Sequence, residues 1–508
     1  MAGDVEPLIP VTDFERRFER ARVGIGLALA PIVFVAILLY PFSSPDLRPE
    51  AHRLAAVMGA VVTLWITEAL PLPVTALLGA SACTLLRVAD AKTVFAPFAD
   101  QLMFLFVGSF ILARAIFLHG LDKRLAFGVM SLAWVGARPA RILLAYGAVT
   151  ACISAWISNT ATTAMMMAIG LSILHFLFDP QHARALGVSR GYATGMMLMT
   201  SFAASIGGLA TPVGTAPNVI GLGFIRKFLG VEISFFEWMI IGVPVVVILY
   251  LYLFVYMNWF CPAGVRELAG SGELLEKQRD SLGPWTAGQI STLVAFLITV
   301  ALWIAPGVVA LTAGEESPTY KLFRESCPEG VAALIGAALL FLLPGKSSGR
   351  AITWPEAVQI DWGVVLLYGG GFALGELTRI TGLADAVGKG LAGWIPLSGD
   401  LGLLLASTVV AALVSETTSN TASANIVVPL VISLAQAAGV DPLAPALGAT
   451  FGASLGFMLP VSTPCNAIVY GTGYIPLSRM IRYGLLLDVV GVAVIVTLIH
   501  ALVPLLRS

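Results

Sequence analysis

The sequence predicts an all-α integral membrane protein with about 11 transmembrane helices and two re-entrant helical hairpins, arranged as two inverted repeats. Three observations predict it. Of 508 residues, 58% are hydrophobic and 12% charged, and the mean hydropathy is +0.89; a soluble chain carries about 25% charged residues. Apolar runs of roughly 20 residues, the length a helix needs to cross a bilayer, recur along the whole chain. The polar triplet Ser-Asn-Thr occurs twice, at 158–160 and 419–421, each time near the middle of a long apolar stretch. The short alternating strands of a β-barrel are not visible.

The N-terminal segment 1–22 is too long and too acidic for a signal-peptide n-region and reads as a cytoplasmic lead-in. A first transmembrane helix follows at 23–43, within a segment ending at 49. Spans are expected at 50–70, 73–90 and 102–119. The stretch 141–178 is too long for one span and tight for two with a loop, so a hairpin that enters the membrane and turns back fits better. An interrupted span at 190–226 and a span at 234–258 complete a first repeat over 50–260. Residues 261–285 read as a cytoplasmic linker. The second repeat, 286–508, has spans at 286–305, 328–344, 361–380 and 480–505, a hairpin at 401–437 and an interrupted span at 443–475.

Positive charge orients these elements. Arg16, Arg17, Arg20 and Arg22 precede the first span and put the N-terminus inside. Lys123, Arg124, Arg138 and Arg141 before the first hairpin, with Arg184 and Arg190 after it, open that hairpin to the cytoplasm. Arg266, Lys277, Arg279, Lys346, Arg350, Arg479 and Arg482 fall in inside loops, and the loop 306–328, with Glu315, Glu316 and Glu325, falls outside. The second hairpin then enters from outside, and the C-terminus is outside. The expected location is the plasma (inner) membrane, with the lipid bilayer as partner.

Four landmarks recur in order. VTALLGA (74–80) matches VAALIGA (331–337), and GSFIL (108–112) matches GGFAL (370–374), each of the latter followed by Gly-Leu. SNTAT matches SNTAS, and TPVGTAPN (211–218) matches LPVSTPCN (459–466). An odd number of crossings separates the matched elements, so the halves are inverted, the architecture of secondary transporters.

Each half therefore supplies two breaks. One is the hairpin tip at the triplet. The other is a Pro/Gly-rich interruption: Pro212, Gly214 and Pro217 in front, Pro460 and Pro464 behind. Proline stops helices, glycine permits sharp turns, and a broken helix leaves free carbonyls on one side and free N–H groups on the other. Carbonyls with Ser, Thr and Asn oxygens suit a hard cation, and half-helix N-termini suit an anion. No Lys or Arg occurs in 142–183, 191–225, 401–440 or 443–478. An anion bound there has no cationic side chain from these segments, so bound cations would supply the missing charge, a physical reason for coupling. A single triplet is more often interhelical hydrogen-bond glue; two, each partnered by a Pro/Gly break, argue for a site.

Glu416 is the one ionisable residue of the second hairpin, where the front half has Ala155. It could bind a cation, relay a proton, or hold the hairpin tip by hydrogen bonds, the role favoured here. Glu68 and Glu376 read as scaffold packing or interface features, and the Met165–Met167 run as lipid or helix packing. A net charge of −1 argues against nucleic acid as partner. Five scattered cysteines, Cys83, Cys152, Cys261, Cys327 and Cys465, form neither a disulfide framework nor a zinc pattern. No Ser/Lys, Asp/Asp or His-metal constellation supports an intramembrane enzyme. No ring of charges supports a channel filter.

With these motifs, and with ITEALPLP and LLYGGGFALGELTRITGLA, the sequence over about 50–505 resembles the divalent anion–sodium symporters, carriers of dicarboxylates, citrate or sulfate. The resemblance implies a homodimer with a scaffold domain and a transport domain that moves by an elevator mechanism. It implies sodium as coupling ion and no organic cofactor. It places a first sodium site at Ser154, Ser158, Asn159 and Gly214, and a second at Ser415, Ser419, Asn420 and Ser462. Substrate carboxylates would meet Ser158, Asn159, Thr160, Ser419, Asn420 and Thr421, with Thr215, Thr463 and Pro464 nearby. The expected activity is sodium-driven uptake of a C4-dicarboxylate such as succinate. The alternatives are a sodium-independent dicarboxylate exchanger and a sodium-coupled sulfate or citrate carrier.

Overall fold

The computed structural model describes residues 13–40, 48–178, 187–268, 270–345, 349–392 and 399–506. Residues 1–12, Arg184 and Lys346, used above for orientation, lie outside the described residues. The described residues form 23 α-helices, two 3₁₀ turns and no β-strand. In order they are α1 (Asp13–Leu39), α2 (Pro49–Thr67), α3 (Leu72–Leu85), α4 (Ala91–Phe95), α5 (Gln101–His119) and α6 (Leu121–Met130). Next come α7 (Pro139–Ser154), α8 (Asn159–Phe178), α9 (Arg190–Gly207), α10 (Ala216–Leu229), α11 (Phe235–Phe260) and α12 (Ser271–Asp280). They continue with α13 (Ala287–Ala313), α14 (Pro318–Ser326), α15 (Glu329–Leu342), α16 (Trp354–Ala357), α17 (Trp362–Thr381) and α18 (Leu383–Ala392). The last are α19 (Gly399–Thr417), α20 (Asn420–Ala437), α21 (Leu443–Gly452), α22 (Pro464–Tyr470) and α23 (Leu477–Leu502).

Eight helices, α1, α5, α8, α11, α13, α19, α20 and α23, are long and apolar enough to cross a membrane. A ninth crossing results if α14 and α15, bent by 66° at their junction, act together. This is a multi-pass integral membrane protein. The helices differ in how much of that apolar surface the protein covers. Only 11% of the most apolar window of α1 and 22% of that of α13 is buried, so these helices lie at the periphery with apolar sides outward. By contrast, every residue of α9 from Tyr192 to Gly207 is buried, as expected of a helix at the centre of the protein.

The chain breaks where the sequence places them. One break separates α7 from α8 at the first triplet, and another separates α19 from α20 at the second. The Pro/Gly segments 208–215 and 453–463 separate α9 from α10 and α21 from α22. The two halves interlock: α10 packs on α20 and α21, while α22 packs on α8 and α9. One large apolar cluster spans both halves, taking Met197 and Phe202 from α9, Phe224 from α10, and Leu447 and Phe451 from α21. A second cluster joins α2, α3 and α17, and a third joins α5, α13 and α15.

Some boundaries move. Helix α13 continues through Pro306 to Ala313, past the expected end at 305. Gly307 lies against the Phe236 ring and the Trp303 indole donates to Glu329 O at 3.0 Å, so packing holds the helix together past its missing hydrogen bond. The linker 261–285 contains α12, and α6, α14 and α18 also form where no span was expected. These helices are 9 or 10 residues long, too short for a window tuned to membrane spans.

Ion pairs tie α10 to its surroundings. Arg226 donates to both oxygens of Asp100, at 2.8 and 2.6 Å, and Asp100 also caps α5 through Leu102 N. Lys227 lies 3.8 Å from Glu376 of α17, which Arg379 holds at 2.7 Å. Glu68 pairs with Arg22 at 2.9 Å. Both glutamates thus join neighbouring elements. Met166 is fully buried in the α8 packing.

Candidate functional site

In the front half, α7 ends at Ser154 and, after the four residues 155–158, Asn159 opens α8. The Ser154 hydroxyl donates to Asn159 Oδ1 at 2.8 Å. The Asn159 amide lies against Gly208, where a Cβ would collide with it, so the glycine sets how closely the second break approaches the hairpin tip. Gly214 is packed on Gly208 and on Ala155 O, and Thr211 donates its hydroxyl to the same Ala155 carbonyl. Asn218 pins the loop by donating to Gly208 O and Thr211 O, each at 2.8 Å. The chain then turns at Thr215 into α10, with Pro217 in its first turn, where the missing N–H costs nothing.

The back half repeats this arrangement with one substitution of chemistry. The Ser415 hydroxyl lies 2.8 Å from Asn420 Oδ1 and 2.7 Å from Ala453 O. Asn466 donates to Gly456 O and Leu459 O, each at 2.9 Å, as Asn218 does in front. Thr463 caps α22 by accepting from Asn466 N at 3.2 Å. The difference is Glu416. Its carboxylate accepts from Met458 N at 2.7 Å, Leu459 N at 3.3 Å and the Ser462 hydroxyl at 2.5 Å. Of the three roles considered for Glu416, this geometry matches hydrogen bonding that holds the tip to the second break.

The two tips and two breaks enclose one cavity of about 750 Å³, in the range of small-molecule sites. Ser158, Asn159, Thr160, Gly214 and Thr215 line it from the front half, and Ser419, Asn420, Thr421, Ser462, Thr463 and Pro464 from the back. Ser154 and Ser415 stand behind this wall, fully buried, and reach the cavity only through the asparagines they contact. The first residues of α8, α10, α20 and α22 all lie on the cavity surface. Each helix N-terminus carries roughly half a positive charge, so the four together present about +2 at most. Hydroxyls and amides surround these dipole ends. Among the described residues no three His, Cys, Asp or Glu side chains cluster as a metal site. The donor set therefore suits a hard, weakly charged cation, not a transition metal.

A family model described as the sodium:sulfate symporter transmembrane region matches residues 24–508. The chain belongs to the divalent anion–sodium symporter family. This symporter-family chain is 33% identical over 486 residues to the sodium-dependent dicarboxylate transporter SdcS of Staphylococcus saprophyticus, covering 94% of this chain and 91% of that one. It is 32% identical over 485 residues to the SdcS protein of Staphylococcus aureus strain USA300, with the same coverage. The crystal structure of the Alcanivorax borkumensis YdaH transporter, 13% identical, superposes with a TM-score of 0.54 over 96% of this chain and 98% of that one, a likeness of fold alone. The family and these relatives are transporters, so the chain is a transporter and not an enzyme.

Four residues of the candidate site were not singled out from the sequence. Asn218 and Asn466 end the quoted motifs, so their position was visible, but their role as carbonyl clasps required the fold. Cys465 lines the cavity beside Pro464. Arg114 brings a positive charge to the cavity from α5, outside the segments that lack Lys and Arg.

Proposed function

We propose that the chain couples inward sodium flow to uptake of a divalent anion, with a C4-dicarboxylate such as succinate as the first substrate to test. The observation that carries this reading is the pairing within one cavity. Two Ser–Asn oxygen pairs flank it, and four helix N-termini line it. Sodium is cargo in this scheme. It would sit among Ser154, Ser158, Asn159 and Gly214 in front, and among Ser415, Ser419, Asn420 and Ser462 behind. The anion would meet the two triplets, with Thr215, Thr463 and Pro464 beside them.

The charge balance favours coupling. Four dipole ends offset a dianion only where the cavity is dry, and their positive ends are partial charges. Two bound sodium ions next to the triplets would make the site net positive. They would also consume Asn159 Oδ1 and Asn420 Oδ1, orienting each amide N–H toward the substrate. The names of the staphylococcal relatives support the substrate class and the ion. The cavity volume accommodates sulfate and citrate as well as succinate, so size does not choose among them.

The two hairpins with their broken helices form the moving body in this reading, an elevator built from inverted repeats over 50–260 and 286–508. The hairpin at 141–178 opens to the cytoplasm and that at 401–437 to the outside. The N-terminus is cytoplasmic and the C-terminus external in the plasma membrane. The chain works as a homodimer. Calorimetric titration of the purified protein with succinate tests the binding step. The reading expects heat of binding in sodium and none in potassium; equal binding in both would remove the coupling.

A further inference from the structure

Segments 142–183, 191–225, 401–440 and 443–478 carry no Lys or Arg, yet the cavity they line has a cation. Phe110, Ala113, Arg114 and Phe117 all line it from a single face of α5, as residues spaced by three and four on a helix must. Among the described residues lining the cavity, Arg114 alone carries a positive charge.

Its partners leave that charge available. The guanidinium donates through Nη2 to Gln359 Oε1 at 2.5 Å, a neutral amide. Its Nε is buried and has no hydrogen-bond partner. Among the described residues no carboxylate forms an ion pair with it. Two acidic groups stand nearby without an ion pair to it: Glu356, which the Arg114 charge helps to keep ionised, and Asp361. Asp361, which also lines the cavity, accepts from Val364 N at 3.2 Å as the cap of α17. Glu356 accepts from Thr353 N at 2.8 Å and from the Thr353 hydroxyl at 2.6 Å. A cation that faces a cavity and holds only an amide is poised for an anion.

Position says which anion-handling step it serves. Gln359 and Asp361 are exposed, so this part of the wall is the mouth of the cavity. In the repeat, Arg114 corresponds to Glu376, which is already neutralised by Arg379 and Lys227. Glu376 does not line this cavity, so Arg114 has no counterpart on its wall. Helix α5 packs on α13 and α15, away from the triplets.

We propose that Arg114, positioned by Gln359, is a receiving site at this mouth. It would meet one carboxylate of a dicarboxylate passing between the cavity and the solution on that side. The inference rests on the transport reading above and deepens it. Because Arg114 sits at one mouth, its effect is one-sided. A focused positive group raises the encounter rate of an anion by about tenfold or more, and salt screens it.

The test compares right-side-out and inside-out membrane vesicles, each assayed for succinate transport with sodium present. Arg114→Gln is expected to raise KM about tenfold from the face that carries Arg114 and to leave the other face unchanged. Arg114→Lys should recover most of the loss. Gln359→Ala keeps the charge but frees it, and should give a smaller shift on the same face. Wild-type KM at that face alone should rise with ionic strength, a readout that needs no variant. Equal shifts on both faces, or no shift and no one-sided salt effect, overturn the proposal while leaving the transporter reading intact. Wild-type vesicles that move none of succinate, citrate or sulfate in either orientation overturn that reading, and this site with it.

Discussion

Ser201 of α9 donates its hydroxyl to Asn466 Oδ1 at 2.6 Å, so a front-half helix holds the asparagine that closes the back-half break. Asn466 is fully buried and spends both amide hydrogens on Gly456 O and Leu459 O. The clasp has no contact with the cavity, but it shapes the loop that carries Ser462 and Thr463.

Asn466→Ala is therefore expected to destabilise. It strands two carbonyls and one hydroxyl, and each buried unsatisfied group costs about 1–3 kcal/mol. The apparent melting temperature in detergent should fall well below that of Ser201→Ala, which strands a single oxygen. Equal melting temperatures for wild type and Asn466→Ala would show that the loop is held by something else.

Asn159→Ala and Asn420→Ala are expected to abolish uptake and leave the fold intact, since each removes an oxygen and an amide from the cavity wall. Ser154→Ala and Ser415→Ala remove hydroxyls that belong to the proposed sodium sites and also hold Asn159 Oδ1 and Asn420 Oδ1. Loss of such supporting groups typically weakens ion binding by about 10- to 100-fold. Sodium titrations of uptake should show that rise in half-saturation, with a smaller effect on succinate at saturating sodium. Near-normal uptake in both asparagine variants would remove the site assignment.

Glu416→Gln separates the roles considered for this carboxylate. The glutamine amide would point an N–H₂ group at the donors of Met458, Leu459 or Ser462, so about 1–3 kcal/mol of stability should be lost. A proton relay predicts the opposite pattern: an unchanged melting temperature with transport uncoupled from protons. Circular dichroism melts alongside uptake distinguish the two.

Asp488 of α23 is 7% exposed and lies beside the Glu416 carboxyl and the Phe457 backbone. Asp488→Asn puts an amide donor beside the remaining acid. It should raise stability by about 1 kcal/mol or more, since two carboxyls that share a buried site repel when both are ionised. A lowered melting temperature would mean that the Asp488 carboxyl makes a net favourable contact that the amide does not.

The breaks were legible because proline, glycine and a polar triplet stand out against apolar helices. Pro217 and Pro464 open α10 and α22, and Asn159 and Asn420 open α8 and α20. Asn218 and Asn466 were quoted as motif ends, but which carbonyls they reach depends on loop shape, and one-dimensional spacing does not carry that. Arg114 was missed for a different reason. It lies in a span whose neighbours are apolar, and only tertiary packing turns that face of α5 to the cavity. Helix α13 runs past the expected end at 305: the local rule would end a helix at Pro306, and the packing of Gly307 and Trp303 overrides it. The short helices α6, α12 and α14 carry too little apolar length to register as spans.

The central claim is that sodium and a divalent anion share one cavity and move together. Its most direct test is labelled succinate uptake into liposomes holding the purified protein. Three conditions are needed: an inward sodium gradient, an equal potassium gradient, and potassium with succinate loaded inside. The account predicts uptake with sodium alone. Uptake that needs internal succinate and ignores sodium would contradict it and make the protein an exchanger.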